Sequence, residues 1–191
     1  MPQHSNCLAA IKSLEPQNGK GLTVVIETPK GSRNKFKFSP ELGLFELGSV
    51  LPAGLAFPYD FGFVPSTLAQ DGDPLDVLLL MDEPAFPGCL VAARIIGVIK
   101  AEQTERDGKT TRNDRLVAVA ADAHDYADLR SVRDMNENLM KELEHFFVSY
   151  NEMKGKRFKL LGCRGPSGAR RVLKGAIAAA RKATRTKRKA K

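Results

Sequence analysis

The sequence predicts a mainly β fold, a small and predominantly antiparallel barrel with helices at its periphery, and three observations carry that prediction. Between Leu22 and Ala120, short runs rich in Val, Ile, Leu and Phe are separated by Gly and Pro turns. Amphipathic helical spacing is confined to the later part of the chain, where Leu139, Leu143, Phe146, Phe147 and Tyr150 share one helix face. At 191 residues, 42% of them hydrophobic, the chain can build one proper core without disulfide staples. Cys7, Cys89 and Cys163 are odd in number and far apart, which suits a reduced, cytoplasmic setting.

Residues 1–19 are polar and mixed, with an apolar patch at 8–11, and read as a short helix or an irregular lead-in. The first ten lack the basic start and apolar core of a signal peptide. Residues 22–27 form a β-rich run ending in Glu27, 29–32 a turn, and 34–38 an alternation of charge and aromatic, so the two runs are expected to make a hairpin. Its two-residue period puts Lys35 and Lys37 on one face, lining a site or simply solvated, and Phe36 and Phe38 on the other. A turn at 40–43 leads into 44–47, and 50–63, broken by Pro52, Gly54, Pro58 and Gly62, reads as a bent connection.

Residues 77–81 and 90–99 are strong strands, 101–114 a charged loop with a Gly-centred tip, and 115–120 the next strand. Asp134 or Asn136 can cap the helix that ends near Tyr150. A last strand at 158–161 and an Ala-rich helix at 169–183 follow, and 184–191 has nothing to bury and is expected to be unstructured. This divides the chain into a barrel unit with its helix, 1–163, and a basic helix with a tail, 164–191.

The formal net charge of +8 is concentrated in that second unit. From Arg164 onward there are eleven Lys or Arg and no acid, so the remainder is net acidic. Such a distribution argues against a nucleic-acid-binding core and allows weak contacts of the tail with polyanions. No run is long enough to span a membrane.

The chemistry points to Asp71-Gly72-Asp73-Pro74-Leu75-Asp76, three carboxylates in six residues ahead of a buried strand. Like charges this close repel unless a cation neutralises them, or unless the segment is only a solvated polar turn. Oxygen ligands on a rigid loop suit Mg²⁺, which takes its remaining ligands from water and phosphate. The spacing is not that of an EF-hand, and no P-loop occurs in the chain.

In this order and spacing, residues 24–159 resemble the family I soluble inorganic pyrophosphatases. Asp71-Gly72-Asp73-Pro74-Leu75-Asp76-Val77 is similar to that family's signature, and Val25-Ile26-Glu27, Pro58 with Phe61-Gly62, residues 116–119 and His145-Phe146-Phe147 match around it. The resemblance implies a five-stranded, OB-like β-barrel, metal-dependent hydrolysis of pyrophosphate to two phosphates by a metal-activated water, and a homo-oligomer. It implies Mg²⁺, with Mn²⁺ or Zn²⁺ as alternatives. Asp71 and Asp76 would ligate metal with Glu27 as an outer-shell carboxylate, Asp73 would be the catalytic base, and Lys35, Arg115 and Tyr150 would hold substrate phosphate.

Other positions depart from the family pattern. Lys37 stands for an acid, Ser49 for an arginine, Phe57 and Phe61 for tyrosines, Gln103 and Asn113 for metal-binding aspartates, and Asn151 for a lysine. Glu102, Glu105, Asp107 and Asp114 are candidate stand-ins, although strand alternation puts Asn113, not Asp114, on the face of Arg115. Two readings follow: a divergent pyrophosphatase, or a weak or inactive relative that binds pyrophosphate, nucleotide or a polyanionic partner.

Overall fold

The computed structural model describes residue 11 and residues 13–189. Most of the apolar patch expected at 8–11, Cys7 and the last two residues of the chain lie outside the described residues. The strands are β1 (Gln17–Asn18), β2 (Gly21–Thr28), β3 (Asn34–Ser39), β4 (Leu44–Val50), β5 (Asp60–Val64), β6 (Leu75–Leu80), β7 (Leu90–Thr104), β8 (Thr110–Arg112), β9 (Arg115–Ala120) and β10 (Arg157–Arg164). Two α-helices, α1 (Glu137–Glu152) and α2 (Pro166–Lys189), flank β10 in the chain.

Five strands close a ring. β2 pairs antiparallel with β5, β5 with β6 in the same sense, β6 parallel with β9, and β9 antiparallel with β7, which returns antiparallel to β2. This is the expected five-stranded, OB-like barrel, with β1, β8 and β10 adding to its margins.

The two faces of the barrel strands serve two cores. Val77, Leu79, Leu116 and Ala118 join a cluster completed by Ala169, Leu173 and Ala176 of α2. Their neighbours Leu78, Leu80, Val117 and Val119 point the other way, against Leu143, Phe146, Phe147 and Tyr150 of α1. Burial on both faces is why residues 77–80 of β6 read as an unbroken apolar run.

Four expectations change. β2 and β3 do not form a hairpin: both edges of β2 are taken by barrel strands, and β3 pairs forward with β4 across the 40–43 turn. The segment read as a bent connection contains β5, buried at every position. The charged loop at 101–114 is largely a hairpin, in which Glu102 pairs with Arg112 and Thr104 with Thr110. Finally, α2 continues through residues 184–189, where Thr184 and Thr186 donate to the carbonyls of Ala180 and Lys182.

Candidate active site

The acidic loop connects β5 to β6, and its own hydrogen bonds give it shape. Thr67 Oγ1 donates to the Val64 carbonyl at 2.6 Å and accepts from the Leu75 N–H at 2.9 Å, clamping the base of the loop. Asp71 Oδ1 accepts from the Asp73 N–H at 3.2 Å, and Gly72 sits at φ +94°, a left-handed conformation that glycine adopts without strain. Asp76 then falls on the α1 side of β6, two residues before Leu78.

Strand register sets its neighbour. Val77 lies opposite Leu116 in the parallel pair, so Asp76 and Arg115 enter the barrel side by side, with Nε to Oδ2 at 3.6 Å. The Arg115 guanidinium stacks over Phe147 and Phe158, 4.3 and 5.0 Å from the ring centroids, and its Nη1 donates to the Asn113 carbonyl at 3.1 Å. Burial pushes the Asp76 carboxyl up to about 6, with Asp71 and Asp73 adding to that effect and Arg115 and Lys35 opposing it.

The β3–β4 hairpin supplies a second wall. Glu27 is buried at the end of β2, where burial raises its carboxyl to about 7 although it accepts the Phe38 N–H at 2.8 Å. Lys35 Nζ lies 5.4 Å from the ring centroids of both Phe61 and Tyr150. Burial works against its charge, but Tyr150, Asp76 and Glu27 outweigh it, and its pKa lies above the usual lysine value. Lys37, at the position of a family acid, reaches Asp73 Oδ2 at 3.4 Å in an exposed pair.

The end of α1 contributes cations that the sequence reading missed. Lys154 Nζ donates to the Tyr150 hydroxyl at 2.6 Å and lies 4.4 Å from its ring centroid. Gly155 follows at φ +69°, stopping the helix, and Lys156 turns back toward the cavity. Asn151 fixes this turn: its carbonyl accepts from the N–H groups of Lys154 and Lys156, and its buried side chain donates to the Phe147 carbonyl. The signal was a Gly helix stop flanked by two lysines, Lys154-Gly155-Lys156, beginning four residues beyond Tyr150.

The third wall comes from β7 and β8. Gln103 and Asn113 face the cavity as linked amides, Asn113 Nδ2 donating to Gln103 Oε1 at 3.4 Å. Of the four acids considered as stand-ins, Glu105 alone reaches this cavity. Glu102 pairs with Arg112, Asp107 caps the hairpin tip at Lys109, and Asp114 turns to the other face, where Lys100 and Arg112 hold it at 2.8 and 3.2 Å. That other face carries a larger cleft of about 560 Å³ along α2, whose one acid, Asp114, is already neutralised.

Glu27, Lys35, Asp71, Asp73, Asp76, Arg115 and Tyr150 thus surround one cavity of about 380 Å³, together with Lys37, Ser49, Lys154 and Lys156. Phe57 and Phe61 are buried and pack against each other with tilted rings, 5.6 Å between centroids. Among the described residues no group of three or more His, Cys, Asp or Glu side chains is gathered closely enough to hold a metal ion. An open, all-oxygen donor set fits a hard divalent cation that completes its shell with water and phosphate. The raised carboxyls of Asp76 and Glu27 express the same need for neighbouring positive charge.

Comparison with known proteins shows the family of the chain. The family model for inorganic pyrophosphatase matches residues 24–181. The chain is 36% identical over 154 residues to an inorganic pyrophosphatase of Geobacillus stearothermophilus, covering 80% of this chain and 90% of the relative. It is 37% identical over 177 residues to one of Thermus thermophilus, covering 90% of this chain and 98% of the relative. The crystal structure of inorganic pyrophosphatase from Thermus thermophilus superposes with a TM-score of 0.81 at 35% identity, over 90% of this chain and 98% of that one.

Proposed function

The chain belongs to the inorganic pyrophosphatase family and hydrolyses pyrophosphate to two phosphates, and we propose that Asp71 and Asp76 hold the divalent cations of the reaction while Asp73 acts as its base. The observation that carries this reading is the convergence of the three aspartates with Lys35, Lys154 and Tyr150 on one cavity.

Activity in the family is metal-dependent, and the all-oxygen donor set favours Mg²⁺, with Mn²⁺ or Zn²⁺ as substitutes. When bound, such cations neutralise phosphate charge and lower the pKa of a coordinated water. Asp73, exposed at the rim of the loop, takes the proton of the attacking water. Glu27 supports the cations from the outer shell. The Tyr150 hydroxyl accepts from Lys154 and offers its own O–H to a phosphate oxygen; burial raises its pKa, but Lys35 and Lys154 outweigh that and hold it below the usual tyrosine value. Arg115 positions Asp76 and adds positive charge beside the triplet.

We further infer a homo-oligomer in a cytoplasmic setting, supported by the exposed apolar side chains Leu44, Leu47 and Val50 on β4. Among the described residues no helix is long and apolar enough to cross a membrane. No observation favours the inactive alternative.

Phosphate release from pyrophosphate with Mg²⁺, Mn²⁺ or Zn²⁺, compared between the parent and Asp76→Asn, tests the reading. Metal-dependent release should be lost in the variant while its circular dichroism is unchanged. Parental activity in Asp76→Asn would overturn the assignment of the triplet.

A further inference from the structure

The side of the cavity formed by the β7–β8 hairpin and the turn after α1 is neutralised by the chain itself. Glu105 Oε1 accepts from Gln103 Nε2 at 2.6 Å and from Lys156 Nζ at 3.0 Å, and its Oε2 lies 2.7 Å from the same ammonium. Gln103 Oε1 in turn accepts from Asn113 Nδ2, so four side chains form one hydrogen-bonded row. Both carboxylate oxygens are engaged, and the two amides bring no charge.

Lys156 is placed rather than merely nearby. Its N–H donates to the Asn151 carbonyl, the Lys154 carbonyl accepts from Arg106 Nε at 2.7 Å, and β10 begins its pairing with β7 at Arg157 opposite Thr104. A half-buried ammonium fixed in this way meets a polyanion with little further loss of side-chain freedom. Electrostatically it acts as a point charge suited to phosphate oxygens. The acidic loop is the contrast: Asp71 has no cation within salt-bridge distance among the described residues, and Asp76 has only the longer contact to Arg115.

Resting on the reading that the triplet holds the cations, we propose that Lys156, clamped by Glu105, takes the place of a divalent cation on this side of the cavity. Substrate phosphate meets its ammonium directly, and cation binding is confined to the side of Asp71 and Asp76.

Equilibrium dialysis of Mn²⁺ against the full-length protein, without substrate, tests this by counting ions. Glu105→Gln should bind as many ions as the parent, because Glu105 is spent on Lys156. Lys156→Met releases Glu105 and should bind about one more Mn²⁺ per chain, whereas Lys156→Arg keeps the parental count. Loss of an ion in Glu105→Gln, or an unchanged count in Lys156→Met, would overturn the proposal. An unchanged count in Asp76→Asn would instead overturn the reading of the triplet, so the two failures are separable.

Discussion

Glu27 Oε1 accepts the backbone N–H of Phe38 at 2.8 Å, so a buried side chain of β2 joins β3 to a barrel with which it forms no strand ladder. Thr28 Oγ1 takes the Phe36 N–H in the same way, at 3.1 Å. Glu27→Gln keeps the acceptor and removes a carboxyl whose pKa burial raises to about 7, so at neutral pH without metal it should be at least as stable as the parent in urea unfolding. Glu27→Ala strands a buried N–H and should cost about 1–3 kcal/mol. Equal losses in the two variants would show that the bond does not hold the hairpin.

Lys154 Nζ donates to the Tyr150 hydroxyl at 2.6 Å, and under the proposed function the two groups serve the substrate as a pair. Lys154→Met and Tyr150→Phe should each lower kcat/KM by roughly 10- to 100-fold, the size of a hydrogen bond to a charged group. The double variant should fall short of the product of the single losses, because both groups serve one phosphate. A Lys154→Met enzyme with parental kcat/KM in initial-rate measurements would remove Lys154 from the site.

What could be read from the sequence was whatever local pattern determines. The run of β9 and the stripe from Leu139 to Tyr150 were legible because burial on a strand or a helix leaves a periodic trace. The aspartate triplet was legible because its charges have no comfortable structural use. The partner of β3 was not, since it depends on β5 and β7 occupying both edges of β2, a fact of distant chain. Lys154 and Lys156 escaped because a helix stop reverses the chain and returns two surface-like residues to the cavity. Asp114 and Asn113 were separable by strand alternation, which put Asn113 on the face of Arg115.

Among the side chains of α2 that are described, the last buried one is Ala176, and residues 184–186 are exposed. Removing 184–191 should therefore leave the melting temperature and pyrophosphate hydrolysis unchanged. Retention on a heparin column should weaken, and the parent's retention should itself fall steeply with salt. A destabilised truncation would mean that the final turns of α2 are docked.

Asp60 supplies the pH dependence. It is 1% exposed at the start of β5, its Oδ1 accepts the Ala85 N–H at 3.0 Å, and its Oδ2 has no hydrogen-bond partner among the described residues. Burial raises its pKa above the usual aspartate value, only partly offset by the N–H groups of Ala85 and Lys30. The folded chain therefore holds this proton to higher pH than the unfolded chain does. Its stabilising contribution is complete below the unfolded pKa and is lost as pH rises through the folded one. Asp60→Asn keeps the acceptor for Ala85 and removes the buried charge. Near pH 7, without metal, it should be more stable by about 1 kcal/mol, a rise of about 2–4 °C in Tm for a chain of this size. Near pH 3, where the carboxyl is largely protonated in the folded chain, the advantage should shrink toward zero. Every other carboxyl titrates alike in parent and variant, so the difference between their two melting curves reports Asp60 alone. A variant less stable than its parent at neutral pH would mean that the charge on Asp60 is held by a partner and supports the fold.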